Sequence, residues 1–221
     1  MNNLTSKTDL AAVVSFEGSV EKLRSCLEAL KSWVPEIVVV LGENENSAKD
    51  VINKFNMSIC INSVTTTSFR WECGLTKINT PWVLLIHSNE IVTGQLRKTI
   101  VEKIKKNDTT PCKYRLPSTI IFLKKRLKYS LDWYDSQPSY LAYFPNSVTT
   151  IQALEKHQAK FEGELIRYHE DTLSDCASTV IKKAGERAHC LAKASTDSNI
   201  HRLFIFACIS SIKIFIQTYF L

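Results

Sequence analysis

Four consecutive residues, His87-Ser88-Asn89-Glu90, stand where chemistry is easiest to place. They follow Trp82-Val83-Leu84-Leu85-Ile86, the strongest strand signal in the chain. A polar turn at the carboxyl end of a buried strand is where an open α/β sheet presents its groups to a ligand. These four residues are therefore a candidate ligand site. The plainer alternatives are a hydrogen-bonded turn histidine and a solvated carboxylate at a helix start. A second grouping is Trp133-Tyr134-Asp135. Its aromatic pair can pack under a loop. The third is the basic stretch Lys124, Lys125, Arg126 and Lys128, followed by Tyr129. Such stretches meet phosphates on sugars and lipids as well as nucleic acid, and nucleic acid is not the expected partner.

Other chemistries lack their spacing. The glycines at 18, 42, 74, 94, 163 and 185 are too far apart for a dinucleotide fingerprint or a P-loop. The seven cysteines contain no C-x-x-C pair, which argues against zinc ribbons and thioredoxin-type redox motifs. No nucleophile elbow selects a serine or cysteine. Dispersed cysteines most often behave as small buried apolar residues in a reducing compartment, so the chain reads as cytoplasmic.

The elements that must position these groups follow from the apolar pattern. Leu10 to Phe16 and Ile37 to Leu41 are short β-branched runs, each read as a buried strand. Ser19 can cap a helix in which Val20, Leu23, Leu27 and Leu30 recur at helical spacing. Val51, Ile52 and Phe55 mark a second helix, Ser58 to Ile61 a third strand and Phe69 to Lys77 a third helix. Leu96, Ile100 and Ile104 put a helix after the strand that begins at Trp82. Strands alternating with helices in this way predict βαβ units and a mostly parallel sheet flanked by helices. Beyond Lys106 the pattern weakens. Tyr114 to Leu116 and Tyr140 to Phe144 read as strands, and Leu173 to Leu191 as a helix.

With 221 residues, 44% apolar and 23% charged, the chain is a folded globular protein and not a disordered, collagenous or coiled-coil one. The expected division is an α/β domain over residues 8–150 and a helical region over 151–221. A net charge of +6 favours an anionic partner: a membrane surface, a phosphorylated substrate or nucleic acid. The start of the chain lacks the apolar core of a signal peptide. The stretch 203–221 is apolar with Lys213 as its single charge. It can lie in a membrane interface, pack on the core or a second subunit, or span a bilayer; the interfacial arrangement is the expectation.

In the order of its segments the chain resembles the family 2 glycosyltransferases of GT-A fold, most nearly the lipopolysaccharide-core type. The resemblance rests on the first strand, Cys26-Leu27, Trp33 through Val40, and Pro81 through Glu90. It continues through Tyr114-Arg115-Leu116-Pro117, Phe122-Leu123, Trp133-Tyr134-Asp135, Tyr143-Phe144, His169 with Leu173 and Lys182 to Arg187, and the terminal Phe215 to Leu221. It implies a GT-A-like sheet with a membrane-apposed tail at the inner face of the cytoplasmic membrane. It also implies transfer of a sugar from a nucleotide-diphosphate donor to a cell-envelope glycan or lipid acceptor.

In such enzymes a D-x-D pair holds a divalent metal, Mn or Mg, on the leaving diphosphate, and a further carboxylate activates the acceptor hydroxyl. Carried over by position, His87, Asn89 and Glu90 stand at the metal and diphosphate. Glu43 stands near the nucleotide, and Asp135 in the place of the base. Arg126 and Lys128 meet phosphate or membrane. The chain departs from the pattern at its acids, since His87 and Asn89 replace the D-x-D pair, Leu41 replaces the nucleotide acid, and Trp71-Glu72 replaces an Arg-Asn pair in the third helix. Three outcomes follow: a metal held by His87 and Glu90 with substrate oxygens, metal-free neutralisation by Arg126, Lys128 or His87, or an inactive fold that serves binding or scaffolding.

Overall fold

A computed structural model of the chain describes residues 9–43, 45–62, 66–106, 110–127, 137–145 and 150–169, with 172 and 174. It falls into two compact units: residues 1–120 with 132–168, and residues 121–131 with 169–221.

In the first unit, β1 (Leu10–Ser15) leads to α1 (Val20–Leu30), β2 (Glu36–Leu41), α2 (Asn46–Lys54), β3 (Ser58–Ile61), α3 (Thr67–Leu75) and β4 (Trp82–His87). The order matches the alternation read from the sequence, and the reason is visible in the register. β1 is hydrogen-bonded in parallel to β2 on one side and to β4 on the other, and all six of its residues are buried. A strand covered on both faces has no need of polar alternation, which is why Leu-Ala-Ala-Val-Val-Ser reads as a continuous apolar run.

The two faces carry different layers. Ala12, Val14, Val39, Leu41, Leu84 and Ile86 join Leu23, Leu27 and Leu30 of α1 and Val51 and Ile52 of α2 in one core. Val13, Val38, Val40, Val83 and Leu85 join Trp71 of α3 in the other. Each fully buried Leu or Val contributes roughly 1.5–3 kcal/mol. Ser19 caps α1 by accepting from the Lys22 N–H at 3.3 Å, as the sequence predicts. Gly18, at φ 78°, supplies the left-handed residue that turns the chain from β1 into that cap.

Beyond β4 come β5 (Glu90–Val92), α4 (Gly94–Lys105), β6 (Cys112–Arg115), β7 (Ser118–Phe122), β8 (Lys125–Arg126), β9 (Tyr140–Tyr143), β10 (Glu155–His157) and β11 (Leu165–Tyr168). The main sheet runs β10-β6-β9-β4-β1-β2-β3. The β9 strand lies antiparallel to β4 and β6, while the pairs among β3, β2, β1 and β4 are parallel. In a smaller sheet β11 pairs antiparallel with β5 and neighbours β7. In the second unit the end of β7 forms a hairpin with β8, Ile121 opposite Arg126 and Phe122 opposite Lys125.

Two expectations change. Residues 151–168, read as the start of a helical region, carry strands β10 and β11, which join the sheets of the first unit. Residues 173 and 175–191, and the apolar stretch 203–221, lie outside the described residues. Among the described residues no helix is long and apolar enough to cross a membrane. The cysteines are not all lone thiols either. Cys60 on β3 and Cys73 on α3 form a disulfide, whereas Cys26 and Cys112 are free and buried.

Candidate functional site

The chain passes from β1 to β2 on one side of the sheet, then returns across it to place β4 on the other side of β1. The order of strands therefore reverses between β1 and β4, and ligands of open α/β sheets bind beyond the carboxyl ends at such a reversal. Here those ends are Ser15 and His87, which are register partners.

Glu17 lies just past β1, and His87 through Glu90 form the turn from β4 into β5. His87 is wholly buried. Its Nδ1 is 2.6 Å from Glu17 Oε1, and its Nε2 is 2.8 Å from the Gln137 carbonyl oxygen. Both neighbours are acceptors, so both ring nitrogens must donate, and the ring is an imidazolium. Burial opposes that charge, but the Glu17 carboxylate, by charge and hydrogen bond, and Glu90 outweigh both burial and the opposing Arg167. The pKa is raised above 6.5. Trp71 of α3 covers the ring at 5.1 Å between centroids and donates its indole N–H to the Ile86 carbonyl at 3.2 Å.

Glu90 is equally enclosed. Its Oε2 accepts from the His87 N–H at 2.9 Å and the Ser139 hydroxyl at 2.5 Å. Its Oε1 accepts from Arg167 Nε at 2.8 Å and lies 2.6 Å from Arg167 Nη2. Arg167 Nη2 also reaches the Gln137 carbonyl at 3.3 Å. The Ser88 hydroxyl accepts from the Glu17 N–H at 2.8 Å. Asn89 is 7% exposed; its carbonyl accepts from the Tyr168 N–H at 2.8 Å, and its Oδ1 is buried without a partner.

A divalent cation does not fit this arrangement. A ring that donates from both nitrogens has no lone pair to give a metal, and four donors already face the Glu90 carboxylate. Asn89 would then offer a single neutral oxygen, where a hard cation takes several, mostly anionic. Among the described residues no group of three or more His, Cys, Asp or Glu is placed to hold a metal ion.

The other residues marked from sequence are placed as follows. Glu43 is exposed beyond β2. Near it Arg70 donates to the Phe16 carbonyl at 2.6 Å and lies 3.7 Å from Glu45, whose Oε2 accepts from the Gly42 N–H. Arg126 is exposed on β8 in the second unit. Asp135 and Lys128 lie outside the described residues. Residue type and spacing alone do not point to Glu17, Gln137, Ser139 and Arg167. Of these only Glu17 carries a local signal, an acid two positions past the end of a buried strand.

No family model matches the sequence, and no curated protein is similar to it at a significant level. The structure is similar to GT-A-fold glycosyltransferases and to a nucleotidyl transferase. With Staphylococcus aureus TarS in complex with UDP-GlcNAc it shares 12% identity at a TM-score of 0.49, over 76% of this chain and 60% of that one. With glucosyl-3-phosphoglycerate synthase from Mycobacterium tuberculosis, in complex with Mn²⁺, UDP and glucosyl-3-phosphoglycerate, the values are 10% and 0.42, over 50% of this chain and 43% of that one. A nucleotidyl transferase from Methanothermobacter gives 11% and 0.40, over 59% and 70%. The chain thus spans less than two thirds of the length of the first two.

Proposed function

We propose that this chain is a glycosyltransferase-type protein that binds a nucleotide sugar at the carboxyl edge of β1, β2 and β4 without holding a cation, and that binding has replaced cation-assisted transfer as its role. The observation that carries this reading is the closed pairing of His87 with Glu17 and of Glu90 with Arg167, which occupies the place where the resemblance puts a metal. The reversal of strand order between β1 and β4 supports a ligand at that edge. Glu43, exposed beyond β2, is proposed to meet the nucleoside, and the Arg70 guanidinium supplies positive charge nearby.

The basic stretch that includes Arg126 and Lys128 is proposed to meet acceptor phosphate or lipid, with residues 203–221 against a membrane surface. Asp135 keeps its proposed place beside an acceptor hydroxyl of an envelope glycan or lipid.

A thermal melt tests the reading, with UDP, UDP-glucose or UDP-N-acetylglucosamine, each with Mn²⁺ or with chelator. Ligand at 100 times its dissociation constant adds about 2.7 kcal/mol, and each kcal/mol moves the midpoint about 2–4 °C at this size. A rise of several degrees, equal with Mn²⁺ and with chelator, is expected. A rise that needs Mn²⁺ would overturn the cation-free part. No rise at millimolar nucleotide would overturn nucleotide binding. Release of free sugar or transfer to an envelope extract would restore the enzymatic reading.

A further inference from the structure

The outer strands of the main sheet bring three cations to one face. Lys156 of β10 is the register partner of Lys113 of β6, and Arg115 follows Lys113 two residues on. All three side chains therefore leave the sheet on the same side. Neighbouring strands lie about 5 Å apart and alternate residues about 7 Å, so side chains as long as these converge. Arg115 stands opposite Tyr140 of β9, which in turn pairs with Leu85 of β4 and meets Trp71 edge to face at 6.4 Å. The cluster thus sits two strands from β4, towards its carboxyl end.

Among the described residues no carboxylate pairs with Lys113, Arg115 or Lys156. The one acid of β10, Glu155, lies on the opposite face, 3.4 Å from His157. Lys113 is 7% exposed, and its ammonium donates to a neutral acceptor, the Ile151 carbonyl, at 2.6 Å. Two of its three donors remain. Burial, and then the Lys156 charge, hold its pKa below the ordinary lysine value. Arg115 and Lys156 are exposed, so a solute reaches the cluster from water. Like charges gathered without a counter-charge repel, and an anion among them turns repulsion into attraction. A guanidinium fork beside two ammonium groups suits the several charged oxygens of a phosphate. We propose that Lys113, Arg115 and Lys156 bind a phosphate group, at a site separate from the turn between β4 and β5. Arg115 and Lys156 contact its oxygens, and Lys113 supplies charge beneath them.

Isothermal titration with orthophosphate and with glycerol phosphate, at an ionic strength fixed with chloride, tests the proposal. The wild-type chain is expected to bind phosphate at one site. Arg115→Gln and Lys156→Gln, both at exposed positions, are each expected to weaken binding about tenfold, as the loss of one charge-assisted hydrogen bond allows. Lys98→Gln removes the same charge from the exposed side of α4, whose buried residues join the core on the other face of the sheet. It is expected to bind as the wild type does. Binding of both probes supports a site for phosphate esters, and binding of orthophosphate alone supports a site for the free ion. Absence of binding by either probe at millimolar concentration would overturn the proposal. So would unchanged affinity in the Arg115→Gln, Lys156→Gln double variant, or an equal loss in Lys98→Gln, which would reduce the effect to net charge. Neither probe carries a nucleoside, so these outcomes are separate from those of the nucleotide-sugar reading.

Discussion

Arg167 places two guanidinium nitrogens, Nε at 2.8 Å and Nη2 at 2.6 Å, on a single oxygen of Glu90. Both residues are enclosed: the side chains are 5% and 0% accessible. The pair joins β11 to the start of β5, 77 residues apart in sequence. Removing one partner from a pair so enclosed strands the other charge.

The Arg167→Met variant is therefore expected to lose about 3–5 kcal/mol of stability, and Glu90→Leu a similar amount. The double variant should recover much of the loss, because two apolar side chains of similar volume leave no unpaired charge. A double-mutant cycle of chemical denaturation measures the coupling, and additive losses would refute the pairing.

His87 sets a pH dependence. Its folded pKa is raised by Glu17 above the 6.5 of a free ring. Its contribution is complete below pH 6.5, where folded and unfolded rings both carry the proton. It is lost as pH rises from 6.5 through the folded pKa, because the unfolded ring gives up its proton first. The melting midpoint of the wild-type chain should thus fall over that window relative to His87→Gln, which has no such proton. A midpoint difference independent of pH would contradict the imidazolium.

Acids introduced into the turn from β4 to β5 should not create a metal centre. In a His87→Asp, Asn89→Asp variant, the carboxylate introduced at position 87 would face the Glu17 carboxylate and the Gln137 carbonyl, both of them acceptors. The variant is expected to be destabilised by several kcal/mol. Its midpoint should stay unchanged by Mn²⁺, and recovery of the wild-type midpoint in Mn²⁺ would refute this.

The bridge between Cys60 and Cys73 closes a short loop, with a sequence separation of 13. Loops of that size correspond to about 3 kcal/mol of stabilisation in the chain-entropy account. Reduction, or the Cys60→Ala, Cys73→Ala pair of changes, should lower the midpoint by several degrees. Equal midpoints with and without reductant would count against the bridge.

Gly74 brings α3 against the sheet. A Cβ added there would stand 2.3 Å from Val13 Cγ1 and 3.0 Å from Val40 Cγ2. Gly74→Ala should cost about 1–3 kcal/mol by overpacking, despite the better helix propensity of alanine. A neutral or stabilising result in urea denaturation would show that the helix can move away.

The strands β1, β2 and β4 were legible because burial on both faces leaves an unbroken apolar run, as in Ile37 to Leu41. The third helix begins two residues earlier than its periodicity indicates, because Thr67 and Ser68 belong to its first turn. The small strands β10 and β11 left no such mark. β10 is three residues long, and β11 reads Leu-Ile-Arg-Tyr, with a charged residue at a buried position. That charge is tolerable because Glu90 neutralises it, which no local pattern announces. The turn His87 to Glu90 was legible as a polar end to a strand. Its closure was not, because Glu17, Gln137 and Arg167 lie 70, 50 and 77 residues from their partners.

Those separations bear on the order in which the molecule assembles. Closing long loops is entropically slow, so contacts between distant residues generally form after local ones. The β1–α1–β2 unit can form from neighbouring segments, but Glu90 gains its arginine only when residue 167 has arrived. During synthesis, about 77 residues must follow Glu90 before its charge is met. Until then its carboxylate keeps to water, and the carboxyl edge of β4 is the last part of the sheet to set. A chain interrupted before β11 would carry a nearly complete parallel sheet and an unfinished edge.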